Sequence, residues 1–283
     1  MVLTVPRVLV TGAARGIGRA TTLRLAADGW DVIAGIRRAE DGEPLVRAQP
    51  ERITPVTLDI TNEDHLATLD AALPAELDAV VNNAGVVVAG PLEAVPLSEL
   101  RRQLEVNVVG QAAVTQVTLP RLRESRGRLV FVSSVSGRVA TPMFGPYNAS
   151  KFALEGMADA LRMELAPWGI RVVLVQPAQT DTDLWRLADG DLNDTVATLS
   201  PEHRDLYAKH IAGFRKSISR SQRMASPVDG VAATIEKALT ARRPSARYVV
   251  GVSARAQAFL AQITPTALRD VLLRAGTGVP RRP

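Results

Sequence analysis

Tyr147 and Lys151 carry a phenol and an ammonium group four residues apart. If this segment is a helix, the two side chains lie next to each other on one face. An unperturbed tyrosine has a pKa of about 10, too high for proton exchange at neutral pH, and we expect a neighbouring cation to lower that pKa. The pair therefore predicts a tyrosine that acts as a general acid or base, although the same spacing is common in ordinary helices.

A glycine-rich turn lies near the start of the chain, in the run Thr11-Gly12-Ala13-Ala14-Arg15-Gly16-Ile17-Gly18. Glycines permit a tight turn and the close approach of backbone to a pyrophosphate, and the positive end of a following helix favours a phosphate anion. The turn therefore predicts a dinucleotide site. Its glycine spacing differs from the G-x-G-x-x-G fingerprint, so a purely structural turn is the alternative.

Seven short runs rich in Val, Ile and Leu position these residues, and each is interpreted as a strand buried on both faces. The runs are Arg7 to Val10, Asp31 to Ile36, Ile53 to Leu58, Ala79 to Val81, Arg128 to Val132, Arg171 to Val175 and Arg247 to Val250. Helical stretches between them imply a parallel sheet with right-handed crossovers. The sequence predicts an α/β fold, a doubly wound Rossmann-type sheet with helices on both faces, and residues 1–283 as a single domain.

The spacing TGxxxGxG of the glycine turn resembles that of the short-chain dehydrogenase/reductase family. Asn82-Asn83-Ala84-Gly85 resembles the family's NNAG segment after the fourth strand. Asp59 resembles the acid that lies beside the adenine in the family, and Asn107 resembles the asparagine of the family's fourth helix. The resemblance spans positions 5 to 182. It implies an oxidoreductase that transfers a hydride between a nicotinamide cofactor and an alcohol or carbonyl.

The resemblance also implies catalytic roles. Ser134 lies at the family's spacing, thirteen residues before Tyr147, and would orient the substrate oxygen while Tyr147 gives it a proton. Lys151 would bind the nicotinamide ribose, and Asn107 would support a water chain to Lys151. For Asn107 a structural role, bonding to freed backbone groups of a bent helix, is equally favoured. Ser133 and Ser136 are interpreted as ordinary strand-end and turn residues.

The cofactor contacts that the resemblance implies come from the glycine turn, the ends of several strands and the catalytic pair. They are Gly12, Arg15, Gly16, Ile17, Gly18, Arg37, Asp59, Asn83, Ala84, Gly85, Tyr147, Lys151, Pro177, Thr180 and Thr182. The last three belong to a segment that resembles the family's PGxxxT motif, with Ala178 in place of its glycine. If that position needs a positive φ, the alanine strains or moves the loop.

The end of the second strand bears on the choice of cofactor, because an acid there would repel the 2′-phosphate of NADP. The position that matches the discriminating acid is Ile36, and Arg37 and Arg38 follow it. Arg15 matches a second basic position of NADP-using relatives. Two guanidinium groups can bind a phosphate dianion through charge-assisted hydrogen bonds. We therefore expect NADP(H) rather than NAD(H), with solvated loop charges as the alternative for Arg37 and Arg38.

Composition excludes several classes of protein. With 46% hydrophobic and 22% charged residues, the chain is typical of globular proteins rather than disordered ones. It has no cysteine, and its three histidines are scattered, so we expect no metal site. It has no run of about 18 apolar residues, which a membrane-spanning helix needs, and no signal peptide is apparent. We therefore expect a cytoplasmic protein.

Two regions depart from the strand and helix alternation. Residues 183–226 are polar and irregular, follow a strand end and are interpreted as a substrate lid. Residues 253–283 form a C-terminal extension, and residues 241–283 hold eight arginines and one aspartate, a formal charge of +7. We favour a solvated basic face over contact with a membrane, and expect no nucleic-acid partner. Apolar residues recur in the extension at helical spacing and are expected to pack onto the body, with membrane contact as the alternative: Ala256, Phe259, Leu260, Ile263, Leu268, Val271 and Leu272.

Three features look like those of the steroid and retinoid dehydrogenases of the family: the lid, the extension and the residues from Tyr147 to Gly156. This implies a bulky apolar alcohol or ketone as substrate. A catalytically silent NADP(H)-binding sensor or scaffold is the alternative, and the intact set of Ser134, Tyr147 and Lys151 argues against it. Homo-oligomers, dimers or tetramers, are common in the family, and the extension could block that packing, so the oligomeric state stays open.

Overall fold

A computed structural model describes residues 5–178, 180, 192–193, 195–223 and 225–280. Its centre is a sheet of seven parallel strands in the order β3-β2-β1-β4-β5-β6-β7. The strands are β1 (Arg7–Thr11), β2 (Asp31–Ile36), β3 (Ile53–Thr57), β4 (Ala79–Asn82), β5 (Arg128–Val132), β6 (Arg171–Pro177) and β7 (Arg247–Val250). The doubly wound fold is confirmed, because each strand lies where the sequence predicts it, within two residues at either end.

Helices cover both faces of the sheet. They are α1 (Gly16–Ala27), α2 (Glu43–Ala48), α3 (Glu63–Ala72), α4 (Leu97–Leu104), α5 (Gly110–Ser125), α6 (Gly145–Glu164), α7 (Pro201–Leu206), α8 (Ala208–Arg223), α9 (Val228–Thr240), α10 (Val252–Ile263) and α11 (Thr266–Thr277). A π-helical segment, Glu105–Val109, joins α4 to α5. A short 3₁₀ turn, Val135–Gly137, follows β5.

The core is divided by the sheet into two apolar layers. In β1, Val8 and Val10 belong to the layer beneath α1 and α9, whereas Leu9 belongs to the layer beneath α3, α5 and α6. Successive side chains of a strand point to opposite faces, so a strand covered on both sides needs apolar residues at every position. This is why the strands are unbroken runs of Val, Ile and Leu rather than alternating patterns.

Residues 201–206 and 208–223 of the predicted lid are helical, so the expected irregular structure is wrong for them. Residues 183–191, 194 and 224 of the predicted lid lie outside the described residues. In α8, Ile211, Phe214 and Ile218 recur at helical spacing and are buried against the loops that flank the carboxyl edge of the sheet. The Phe214 ring meets the Phe144 ring edge-on, with 4.8 Å between centroids. The apolar stripe was concealed in the sequence by the many charged residues between its members.

The C-terminal helices also differ from the expectation that their large apolar residues pack onto the body. The inward face of α10 includes Ala254 and Ala258, which are buried, whereas Phe259 and Ile263 are 61% exposed. The expected apolar repeat therefore faces outward over most of its length. No helix in the described ranges is both long enough and apolar enough to cross a membrane.

The glycine turn between β1 and α1 has the close packing that its sequence predicts. Gly12 and Gly16 have φ values of +65° and +54°, which residues with a side chain rarely adopt. A Cβ atom on Gly18 would lie 2.1 Å from the Gly12 carbonyl oxygen. The turn thus depends on glycine at three positions, two for backbone conformation and one for space.

We expect Gly18→Ala to lower the free energy of unfolding by about 3 kcal/mol, because its methyl group would displace the backbone of Gly12. Gly156→Ala is the matched control: Gly156 is an exposed glycine of α6 with nothing within 4 Å of an added Cβ, and alanine should stabilise that helix by about 1 kcal/mol. Urea denaturation measures both changes. A Gly18→Ala protein as stable as the wild type would show that the turn can relax.

Candidate active site

A cavity of about 410 Å³ lies at the carboxyl edge of the sheet and runs from the glycine turn to the start of α6. It brings together most of the residues that the sequence singled out: Gly12, Arg15, Gly16, Ile17, Arg37, Asp59, Asn83, Ala84, Gly85, Asn107, Ser134, Tyr147, Lys151, Pro177 and Thr180. Gly18 does not line it but packs beneath the turn. Thr182 lies outside the described residues.

One end of the cavity is positively charged. Arg15 and Arg37 are exposed there, and no hydrogen bond or ion pair joins either guanidinium to another residue of the described ranges. Arg38 instead binds Asp41, at 2.8 and 3.1 Å. The hydrogen bond from Arg38 is the main cause of the lowered pKa of Asp41, with smaller contributions from the charges of Arg37 and Arg15. This end therefore has two cations available to an anionic ligand.

Asp59 is held in a fixed orientation beside these cations. Its Oδ1 atom accepts hydrogen bonds from the backbone N–H of Thr61 at 3.0 Å and from the Thr61 hydroxyl at 2.7 Å. Partial burial raises the pKa of Asp59, but the Thr61 hydrogen bonds, with the charge of Arg37, outweigh it and leave the pKa lowered. Asp59 is therefore an oriented carboxylate at the cavity wall.

Asn83 supports the glycine turn from below. Its Nδ2 atom donates to the carbonyl oxygens of Thr11 at 2.9 Å and Gly12 at 3.3 Å. In return, the Thr11 hydroxyl accepts from the backbone N–H groups of Asn83 and Ala84, both at 3.0 Å. Thr11, which the sequence reading did not single out, thus ties the end of β1 to the end of β4.

Three buried amide side chains support the segment that leaves β4. Gln103, Asn107 and Gln111 lie four residues apart and are fully buried. Their hydrogen bonds reach every second residue of the extended segment 84–88, and we call this arrangement the amide ladder. Gln111 donates to the Ala84 carbonyl (2.8 Å), Asn107 donates to the Val86 carbonyl (3.0 Å) and accepts from the Val86 N–H (2.8 Å), and Gln103 donates to the Val86 carbonyl (2.8 Å) and accepts from the Val88 N–H (2.6 Å).

The amide ladder also contacts the helix that carries the candidate catalytic pair. Asn107 and Gln103 both donate to the Ser150 hydroxyl, at 3.2 and 3.3 Å, and that hydroxyl donates to the Tyr147 carbonyl at 2.7 Å. Asn107 lies in the π-helical segment, yet its partners are Val86 and Ser150 rather than carbonyls freed in its own helix. Gln103 and Ser150 were missed, and the signal available was the spacing of amides at 103, 107 and 111.

Ser134, Tyr147 and Lys151 meet at the inner end of the cavity. Ser134 follows β5, and Tyr147 lies in the first turn of α6, where Pro146 at the start of the helix fits its preferred φ. The Ser134 hydroxyl lies near that of Tyr147 and acts to lower the pKa of Tyr147. The Lys151 ammonium donates to the Val132 carbonyl at 2.8 Å and lies 5.7 Å from the centre of the Tyr147 ring.

Burial raises the pKa of Tyr147, whereas the sequence predicts that its pKa is lowered. Burial raises the pKa of Tyr147 to about 12, and the Ser134 hydroxyl opposes this only in part. Burial lowers the pKa of Lys151 to about 8, against a smaller rise from Glu155. The expected lowering at Tyr147 is therefore wrong for this structure, because loss of hydration disfavours the phenolate more than its surroundings favour it.

A buried carboxylate lies one helical turn beyond Lys151. Glu155 accepts a hydrogen bond from Gln176 of β6 at 2.8 Å and from Arg247 of β7 at 3.0 Å. Arg247 also binds Asp159, one turn further along α6, at 2.6 Å. These bonds attach α6 to the last two strands and hold an anion near the Lys151 ammonium.

The segment after β6 does not carry the strain that alanine in place of glycine suggested. Arg126 and Met143 are the two non-glycine residues with positive φ in the described ranges, so Ala178 has an ordinary backbone conformation. Thr180 is buried, and its hydroxyl donates to the Ala178 carbonyl at 3.2 Å. The described ranges contain no group of three or more His, Asp or Glu side chains arranged to hold a metal ion.

Comparison with known proteins gives one consistent family. A model of the family described as short chain dehydrogenase matches residues 6–192. An NADPH-dependent 3-dehydrocapnine reductase of Ornithobacterium rhinotracheale is 34% identical over 255 residues, which cover 86% of this chain and 87% of that protein. Retinol dehydrogenase 5 of Homo sapiens is 34% identical over 281 residues, covering 94% of this chain and 87% of that protein.

Solved structures give the same result. A short-chain dehydrogenase from Streptomyces avermitilis is 28% identical with a TM-score of 0.80, and the match covers 99% of this chain and all of that one. A short chain dehydrogenase from Burkholderia cenocepacia in complex with NADP is 27% identical with a TM-score of 0.74, covering 96% and 99% of the two chains.

The lowered pKa of Lys151 predicts a specific dependence of stability on pH. Between about pH 8 and pH 10 an unfolded lysine holds its proton while the native one loses it, so this residue makes the free energy of unfolding rise with pH by about 1.4 kcal/mol per unit. In Lys151→Met that rise should be missing. Urea denaturation of both proteins across this range measures it, and parallel curves would contradict the lowered pKa.

Proposed function

The chain belongs to the short-chain dehydrogenase family, and on that premise we propose that it transfers a hydride between NADP(H) and a secondary alcohol or carbonyl. One observation carries the proposal. A single cavity has two unpaired guanidinium groups at one end and Ser134, Tyr147 and Lys151 together at the other. A phosphate-bearing cofactor and a proton-transfer centre are what such a reaction requires.

The residues of the cavity fit NADP(H). Gly12 and Gly16 line the cavity with positive φ values and no side chains, so backbone can approach a pyrophosphate closely there. Arg15 is the N-cap residue of α1, and its side chain makes no capping hydrogen bond. Backbone N–H groups of the first turn of α1 are therefore available to an anion. Arg15 and Arg37 would hold the 2′-phosphate, and Asp59 the adenine, as the family resemblance implies.

When bound, the nicotinamide supplies or accepts the hydride, and the chain's own residues handle the proton. At neutral pH Tyr147, with a pKa of about 12, holds its proton and can donate it to a carbonyl oxygen. The Ser134 hydroxyl, which lines the same end of the cavity, would hold that oxygen in place. Lys151, with a pKa of about 8, is mostly protonated at neutral pH and favours the phenolate that proton donation leaves.

An apolar wall beside Tyr147 supports a bulky apolar substrate. Val87, Met143 and Phe144 pack there with Phe214 of α8. We therefore propose that α8 covers the substrate as part of a lid. Similarity to a retinol dehydrogenase supports the same substrate class.

The choice of cofactor can be tested at Arg37. Arg37→Gln should raise the Kd for NADPH by about tenfold to about a hundredfold, because one charge-assisted contact to the phosphate is lost, while the Kd for NADH should stay within about twofold. Arg47→Gln, an exposed arginine of α2 outside the cavity lining, is the control for net charge. Titration by cofactor fluorescence measures both constants. An equal loss for the two cofactors would argue against a 2′-phosphate contact at Arg37.

Catalysis can be tested with the carbonyl compound that gives the fastest NADPH oxidation in a panel of apolar ketones and aldehydes. Tyr147→Phe and Ser134→Ala should each lower kcat by about 100-fold to about 10,000-fold and leave NADPH binding nearly unchanged. Ser136→Ala is the control, because Ser136 bonds Ser134 through its backbone N–H alone. Tight NADPH binding with no turnover on any carbonyl or alcohol would instead favour the silent sensor or scaffold.

A further inference from the structure

Helix α10 buries small apolar residues and exposes large ones, the reverse of an ordinary surface helix. Ala254 and Ala258 face inward, with 0% and 4% exposure, and Ala254 packs beside Val135 and Val139. The outer face of α10, formed by Val252, Ala256, Phe259, Leu260 and Ile263, is exposed to solvent, with Val252 at 83%. A surface helix normally buries its largest apolar side chains, so this outer face calls for a partner.

The exposed apolar surface continues into α11. Leu268 and Leu272, one turn apart, are both more than half exposed, whereas Leu273 packs inward beside Val135. Six of the fourteen large apolar side chains that the described ranges expose fall between Val252 and Leu272. Isolated apolar residues are normal on protein surfaces, but a concentration of this kind marks a binding face.

The charge around this surface indicates which partner it fits. Helices α10 and α11 carry three arginines, Arg255, Arg269 and Arg274, against one acidic residue, Asp270. Surface helices that combine exposed apolar side chains with net positive charge are typical of proteins that dock on anionic lipids. A second copy of the chain would bring the same net positive charge against this one, which opposes pairing through this face.

We propose that the outer face of α10, together with Leu268 and Leu272 of α11, docks on the surface of an anionic lipid bilayer. With 12 residues, α10 is about 18 Å long, too short to span a bilayer and suited to lying along its surface. Phe259, Leu260 and Ile263 would enter the boundary between headgroups and acyl chains, and the arginines would meet the lipid phosphates.

The test is flotation of the full-length chain with vesicles of phosphatidylcholine alone or mixed with phosphatidylglycerol. The wild type should float with the anionic vesicles, less with the neutral ones, and less at raised salt. The double variant Phe259→Ser/Ile263→Ser should partition at least about tenfold less strongly, because two apolar side chains no longer leave water. The control Leu97→Ser/Met163→Ser removes two side chains of similar exposure on α4 and α6 and should bind within about twofold of the wild type.

Thermal unfolding and NADPH binding of each variant check that the fold is unchanged, which is expected since all four side chains are exposed. A wild type that floats with neither vesicle would overturn the proposal, as would equal losses in the two double variants. A wild-type dimer that Phe259→Ser/Ile263→Ser turns into monomers in sedimentation, with no flotation of either, would assign this face to a second copy instead. None of these readouts depends on enzyme turnover.

Discussion

The backbone that leaves the sheet after β4 has to find hydrogen-bond partners without a neighbouring strand, and the structure depends on how this need is met. Buried N–H and C=O groups without partners cost about 1–3 kcal/mol each. The amide ladder supplies partners along 84–88, and Ser150 joins the ladder to the turn of α6 between Tyr147 and Lys151. The wall of the cavity and the candidate catalytic helix are thereby fixed to each other by one set of buried amides.

Burial shifts the pKa values of Tyr147 and Lys151 in opposite directions. It raises the pKa of Tyr147 and lowers that of Lys151, because both ionised forms lose hydration. Glu155 partly restores the charged form of Lys151, and Gln176 and Arg247 hold the Glu155 side chain in place through hydrogen bonds. Strands β6 and β7 therefore act on the lysine through the side chain that they bond.

Sequence patterns predicted what arises from local rules and missed what arises from tertiary contact. The seven strands, the glycine turn and the gathering of Ser134, Tyr147 and Lys151 follow from apolar runs and motif spacing. The raised pKa of Tyr147 does not, because desolvation depends on what covers the ring and not on which residue is four positions away. Likewise, the spacing of apolar residues in α10 predicts a helix but not which of its faces is buried. The buried face carries Ala254, because a small side chain fits where the helix lies close to its neighbours.

Helix α8, which packs against Tyr147, is joined to the end of the C-terminal extension. A Cβ on Gly213 of α8 would lie 2.2 Å from the carbonyl oxygen of Gly278, so the two backbones are in direct contact. Movement of α8 away from Phe144 would therefore displace the extension as well. On the proposed function, the polar cofactor enters beside Arg15 and Arg37, and the apolar substrate enters past helices that expose apolar side chains. Each ligand thus approaches Tyr147 along a surface that matches its own polarity.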